Sequence, residues 1–331
     1  MAVVRGERPS GRVRGRRGGA RGHEAHSPHL IPAAGWRRVL RRVARQVLSD
    51  RLMVQSAGVS FFAVLSVAPV LVTALSIYGF VNTPETARRQ LSGLADVLPP
   101  DLDAVVTDQL TTITAASGDV LTLRGLTGLV VALWTATTAT VYLLDGLGIA
   151  YHQPETRGFL RRVGLALVFV LGGAVLLAAL LAVAGLAAAG VAGSSSPVQL
   201  AARVLSWLAL ATLMAVALAV LYRFGPARAR ARWRWLTPGS VLATVVWLAV
   251  TYGFFSYVQS LGSYQSTYGS LAGVAISMFW LWTTVLLIFF GAAVNAEAER
   301  QTTRDSTVGP ERPAGSRGAV VADDVPPHPG E

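Results

Sequence analysis

Three stretches of this chain carry no Asp, Glu, Lys or Arg at all: Leu52 to Pro84, Val163 to Ala202 and Trp235 to Ala296. A soluble helix keeps one polar stripe facing water, and stretches of this length without a charge offer none. A helix crosses the hydrocarbon of a bilayer with about 20 apolar residues, and each stretch holds at least that many. Charged residues make up 14% of the sequence, against about 25% in soluble domains. Lipid is therefore the solvent, and the expected fold class is all-α, a polytopic integral membrane protein with six transmembrane helices.

The spans read as 53–81, 125–144, 163–191, 200–222, 236–258 and 270–294. Which side each connection occupies follows from its arginines, because basic loops stay in the cytoplasm. All 29 Lys-plus-Arg residues are arginine, and the net charge is +11. Thirteen arginines precede Leu52, which places the N-terminus inside. The connection 82–124 is acidic, with Glu85, Asp96, Asp101, Asp103, Asp108 and Asp119, and reads as outside. Arg157, Arg161 and Arg162 put the next connection inside, and Arg223, Arg228, Arg230, Arg232 and Arg234 do the same for the fourth. The uncharged connections 194–199 and 259–268 fall outside. Six spans with both termini in the cytoplasm satisfy every connection, in a bacterial plasma (inner) membrane.

Flanking this membrane domain of residues 36–300, the Arg-, Gly- and Pro-rich segments 1–35 and 301–331 are expected to be disordered. The basic start is too long for a signal peptide. Trp36, Val39, Leu40, Val43, Val47 and Leu48 recur at helical spacing, with Arg37, Arg38, Arg41, Arg42 and Arg45 between them. That pattern predicts an interfacial helix resting on anionic headgroups; an ordinary solvated helix is the alternative. Within 82–124, Thr83-Pro84-Glu85 is a helix-start signal. Leu91, Leu94 and Leu98, then Leu102, Val105, Val106, Leu110 and Ile113, predict two short outer amphipathic helices that cap the bundle, line an entry or rest on lipid.

Several residues stand out within the spans. Pro69 interrupts span one and frees the carbonyl of Leu65; it is a hinge, a pocket wall or tolerated shape. Gln55, Ser56, Ser60 and Ser66 make that span polar enough to face the bundle interior. The hydroxyls of Thr135, Thr137, Thr138 and Thr140 have their own helix carbonyls within reach, so they do not establish a pore. Gly269, Gly273 and Ser277, spaced by four, form a small-residue groove for helix packing or for a ligand. Asp145, Arg203, Arg223 and Glu297 sit at span ends, and no midplane charge marks an ion path. Trp134, Trp280 and Trp247 each need an indole N–H partner or an interface position.

Enzyme signatures are sparse. Cysteine is absent, which excludes disulfides, thiolate metal sites and Cys nucleophiles. No G-x-S-x-G, P-loop or H-E-x-x-H occurs. His23, His26 and His29 lie in the tail, and His152 reads as a surface histidine. The expectation is a non-enzyme with no cofactor and no metal. Arg14 to Gly19 suits positive-inside retention better than nonspecific contact with RNA, and no specific nucleic-acid partner is expected.

Ala57-Gly58-Val59-Ser60-Phe61-Phe62-Ala63-Val64-Leu65-Ser66-Val67-Ala68-Pro69 is a distinctive segment. So are Leu221-Tyr222-Arg223-Phe224-Gly225-Pro226, Pro238-Gly239 and Gly262-Ser263-Tyr264-Gln265-Ser266-Thr267-Tyr268-Gly269-Ser270. Trp280 and Gly291-Ala292-Ala293-Val294-Asn295-Ala296-Glu297 follow. In order and spacing they resemble the YihY/virulence factor BrkB family of bacterial inner-membrane proteins, from about Trp36 to Arg300. The chain departs from the family pattern at Gly225 and at Asp145-Gly146. The resemblance implies a six-helix membrane protein linked to envelope integrity and to transport of lipid-like molecules. The ribonuclease label carried by some members finds no metal cluster or soluble domain here to support it.

Two functions follow as expectations. One is a transporter or exporter of an amphiphile, with Tyr264, Thr267, Tyr268, Gly269 and Ser270 bending at the outer mouth next to Ser66 and Pro69 as the substrate site. Gly58, Gly269, Gly273 and Ser277 would serve helix packing. The other is a non-transporting scaffold for envelope machinery. Expected partners are anionic membrane lipids at the Arg-rich inner face and a second copy of the chain in a homo-oligomer.

Overall fold

The computed structural model describes residues 24–48, 50–81, 118–191, 196–260 and 270–324. After a single 3-10 turn at Pro28–Leu30, the helices are α1 (Ala33–Val47), α2 (Asp50–Val81), α3 (Gly118–Ala150) and α4 (Phe159–Val191). α5 (Ser196–Phe224), α6 (Trp233–Ser260), α7 (Ser270–Glu299) and the short α8 (Val320–Asp323) complete the series. Among the described residues there is no strand, and α2 to α7 are each long and apolar enough to cross a membrane. All six run past the hydrocarbon limits read from the sequence, because helix geometry continues through the polar turns that flank an apolar run.

The spans form a ring in which each helix touches its sequence neighbours and α7 closes back onto α2. α2 against α3 is the most extensive pairing, and α7 also reaches α3. The buried core lies at one end of this ring. Leu52 and Val59 of α2, Leu144 and Leu147 of α3, Ala166 of α4, Tyr222 of α5, Leu236 and Ala243 of α6, and Phe289 and Ala292 of α7 form one cluster there. Farther along, the apolar side chains Leu171, Val175, Val204, Trp207 and Phe279 are exposed, as lipid-facing residues are.

Glycine makes the close crossings at the packed end. A Cβ on Gly239 of α6 would lie 2.1 Å from the carbonyl oxygen of Gly291 in α7, and one on Gly291 would lie 2.4 Å from the Tyr222 hydroxyl. A Cβ on Gly146 would lie 2.1 Å from the Phe289 ring. Tyr222 donates to the Ile288 carbonyl (2.9 Å). Asn295 accepts from Gly239 N–H (2.8 Å) and donates to the Leu236 carbonyl (3.1 Å), on either side of Pro238. The segments Leu221–Pro226, Pro238–Gly239 and Gly291–Glu297, scattered in sequence, thus meet at one place.

Three expectations need correction. α1 forms, but the centre of its apolar face is covered by protein: Val39 and Val43 are buried against Ala293 and Val294 of α7, with Phe290 and Leu242 alongside, while Leu40 and Leu48 stay exposed. The hydrophobic stripe fits a helix groove as well as it fits a headgroup layer, and only packing distinguishes them. Residues 24–35 are ordered in place, with Ala25 and Ile31 buried on Trp235 and Ala298. Residues 301–324 are likewise ordered. The Arg317 guanidinium donates to three carbonyls, of Thr303 (2.8 Å), Arg312 (3.0 Å) and Ala322 (2.6 Å). Ala231 and Thr307 form an antiparallel bridge. Low apolar content hid this order, because a few apolar anchors, Ala25, Ile31 and Val321, are supplemented by the buried Arg317–carbonyl bonds.

The groove expected from small residues is open in this chain. Gly273 and Ser277 are exposed, and no described neighbour comes within 4 Å of a Cβ at Gly273 or Gly58. The outer helices expected within 82–117 lie outside the described residues.

Candidate functional site

The end of the ring that gathers α1, the α3–α4 connection and the C-terminal end of α7 encloses a cleft of about 850 Å³. Arginine supplies most of its charge, from Arg42, Arg45, Arg51 and Arg300, set against Asp145, Glu155 and Glu297. Glu297 is the hub. Its side chain is 3% exposed and bonds Arg42, Arg300 (3.1 Å) and His152 Nε2 (3.2 Å). Arg42 also donates to the Gln301 side chain (2.9 Å) and to the Glu297 carbonyl (3.1 Å). One carboxylate thereby fastens α1, α3 and α7 together.

His152 reaches Glu297 because of how α3 ends. Its φ is +52°, the left-handed region, and the bonds from Gln153 N–H to the Gly148 carbonyl (2.8 Å) and from His152 N–H to the Ile149 carbonyl (3.1 Å) make a Schellman cap. Gln46 of α1 donates to the Ala150 carbonyl (2.9 Å), another of the acceptors left open at that terminus. Reading His152 as a surface histidine missed this contact, since its partner is 145 residues away.

Beside the cleft a second carboxylate is fully buried. Glu299 pairs with Arg228 (2.8 Å; side chains 0% and 1% exposed) and accepts from Ser306 (2.8 Å). Arg228 lies 4.5 Å over the Tyr151 ring. Burial disfavours the Arg228 charge, and the adjacent Glu299 carboxylate more than offsets this, raising its pKa. Burial raises the Tyr151 phenol far above its usual range, so the ring stays neutral beneath the cation. Arg157 holds the Gly225 and Pro226 carbonyls at 2.8 and 2.6 Å, clamping the α5–α6 connection to the α3–α4 connection.

Charge pairing at the cleft is uneven. Asp145 is bound by Arg162, Glu155 has Arg157 at 4.0 Å, and Glu297 is saturated. Arg45 and Arg51 are exposed and have no ion-pair partner among the described residues. The cleft therefore presents two uncommitted cations and suits an anion.

The sequence-based site fares differently. Tyr264, Thr267, Tyr268 and Gly269 lie outside the described residues, as does the side chain of Ser270. Ser66 bonds back to the Ala63 carbonyl (2.7 Å). Around Pro69 the neighbour is α3: a Cβ on Gly128 would lie 3.3 Å from the Pro69 carbonyl and 2.8 Å from the Thr73 hydroxyl. Ser56 and Ser60 are buried, as the polarity of span one predicts, and bond back to Leu52 and Ser56. Thr135, Thr138 and Thr140 do likewise with Val131, Trp134 and Ala136. Trp247 finds Thr284 (3.0 Å), whereas Trp134 is exposed. The residues that do assemble were legible as a signal of another kind: Glu297 and Glu299 close an uncharged helix opposite arginine-rich segments. In a helix, positions two apart point to different sides, which sends one glutamate to Arg42 and the other to Arg228.

Six apolar helices with a charged, hydrogen-bonded end define a multi-pass helical membrane protein of the bacterial inner-membrane type. The chain belongs to the virulence factor BrkB family, whose model matches residues 43–316. It is 26% identical over 250 residues to the ribonuclease-like protein YfkH of Bacillus subtilis, covering 73% of this chain and 88% of that one. It is 27% identical to the UPF0761 membrane protein RSc1559 of Ralstonia nicotianae, over 78% of this chain and 58% of the relative. The UPF0761 membrane protein Smlt0865 of Stenotrophomonas maltophilia is 25% identical, again with 58% of its length spanned. No solved structure matches the chain.

Proposed function

We propose that the protein moves an amphiphile with an anionic head across the membrane, and that the arginine-lined cleft receives that head. One observation carries the reading: the carboxylates around the cleft are already engaged, while Arg45 and Arg51 have no partner there among the described residues. Cations exposed at a lipid surface attract anionic headgroups, each contributing on the order of 1 kcal/mol. The apolar helix faces beyond the packed end supply surface for a tail. On positive-inside grounds this cleft faces the cytoplasm. The same proposal assigns the opposite mouth of the path to Tyr264, Thr267, Tyr268, Gly269 and Ser270, with Ser66 and Pro69.

The test is flux in proteoliposomes, comparing fluorescent analogues of an anionic and a zwitterionic phospholipid. Wild type moves the anionic analogue faster than protein-free vesicles do. Arg45→Glu/Arg51→Glu slows that flux by roughly tenfold or more, since two attractive charges become repulsive, while Tyr264→Ala and Gly269→Leu block it with insertion intact. If wild type adds nothing to the protein-free rate, the transport reading fails and a scaffold role takes its place.

A further inference from the structure

A second cavity lies away from the cleft, on the flank of α6. It measures about 550 Å³ and runs between the Pro28–Leu30 turn and the first half of that helix. Its α6 side is one helical stripe: Arg234, Thr237, Val241, Leu242 and Val245. The stripe covers about 16 Å of helix axis at 1.5 Å per residue. Arg234 starts it at the end of the span, and the valines lie deeper in the hydrocarbon. Val241 is 47% exposed and Val245 58% exposed. Arg234 is exposed and has no hydrogen-bond or ion-pair partner among the described residues. His29, which contacts Ser27 Oγ at 3.2 Å, stands across the groove from the turn side.

Such a gradient, a cation at the interface leading into an apolar trough, matches a molecule that is anionic at one end and aliphatic at the other. A soluble anion gains nothing from the valines, and a protein helix gains nothing from a lone arginine beside a proline turn. The Pro28–Leu30 turn is held by its own packing, with Ile31 buried on Trp235 and Ala298, so the wall opposite α6 is fixed before any ligand arrives. We propose that this groove is a binding site for one anionic glycerophospholipid of the leaflet at the arginine-rich end, its phosphate on Arg234 and an acyl chain along Thr237, Val241 and Val245. The site shares no lining residue with the cleft, so its binding can be read apart from transport.

Native mass spectrometry of the full chain in mild detergent, titrated with phosphatidylglycerol or phosphatidylcholine, tests it. Wild type binds phosphatidylglycerol at concentrations where phosphatidylcholine does not bind, and one of the bound molecules occupies the groove, separate from any held by the cleft. Arg234→Ala weakens that binding by roughly five- to tenfold, the effect of one cation at a lipid surface. Val245→Trp, which fills the trough at an exposed position, weakens it too, while Arg45→Ala/Arg51→Ala leaves it intact. Equal binding of both lipids, or a number of bound phosphatidylglycerol molecules and an affinity unchanged in both groove variants, overturns the proposal. Displacement by inorganic phosphate overturns it as well, since the site then reads phosphate without the tail. Loss only in the Arg45/Arg51 variant assigns the lipid to the cleft.

Discussion

Arg228 and Glu299 sit side by side with almost no access to solvent, and removing one leaves the other charged and buried. Such a break costs about 3–5 kcal/mol, while replacing both partners by apolar residues is often neutral. Arg228→Ala is therefore expected to lower the thermal stability of the detergent-solubilised protein sharply. The double variant Arg228→Met/Glu299→Leu recovers most of the loss in the same melting experiment. A double variant no better than the single would show that the ion pair itself is required. Asp305 allows a second prediction. Burial works against its charge, but bonds from Thr307 N–H (2.8 Å), Thr307 Oγ1 (2.7 Å) and Arg312 N–H (3.0 Å), with the nearby Arg317 cation, hold its pKa below the ordinary aspartate value. A carboxyl lowered on folding stabilises above its unfolded pKa, ~3.9, and that contribution is lost as pH falls through the folded value. Protection from hydrogen exchange at residues 303–317, measured relative to the intrinsic rate at each pH, should thus fall only below about pH 4. Asp305→Asn should raise exchange already at neutral pH and flatten the acid dependence.

Among the elements, the α6–α7 crossing brings Gly239 and Gly291 together backbone to backbone. Adding atoms to a packed contact costs typically about 1–3 kcal/mol. Gly239→Leu and Gly291→Leu should each lower the melting temperature or prevent accumulation in the membrane, whereas Gly273→Ala, in open space, should melt like wild type. A melting temperature unchanged at Gly239 would place the two helices farther apart than the structure does. Glycine spacing by itself did not separate these cases. Gly273 and Ser277 of the evenly spaced set are exposed, whereas Gly239 and Gly291, which lack such spacing, meet backbone to backbone.

For the whole molecule, the structure gathers α1, the connections 151–158 and 225–232, and residues 301–324 at one end of the ring, tied by Glu297, Arg157, Arg232 and Gln153. Both described ends of the chain therefore lie on the same side. The absence of cysteine makes this directly measurable. Single cysteines at Arg37 and Glu311 should both resist a membrane-impermeant thiol reagent in intact cells, and one at Pro197, at the start of α5, should react. Reaction at only one of Arg37 and Glu311 would contradict the shared end.

Uncharged runs longer than the bilayer is thick determined, from sequence alone, that this chain crosses a membrane as helices. Arginine placement added the even span count, because each is a local property of a segment facing lipid or headgroups. The interior of the arginine-rich end was settled only by tertiary structure. Whether Val39 and Val43 meet lipid or α7, which of Glu297 and Glu299 takes which arginine, and whether a proline-rich tail folds depend on partners far away in sequence. Pairing free energy belongs to the two groups together, and composition records each of them singly.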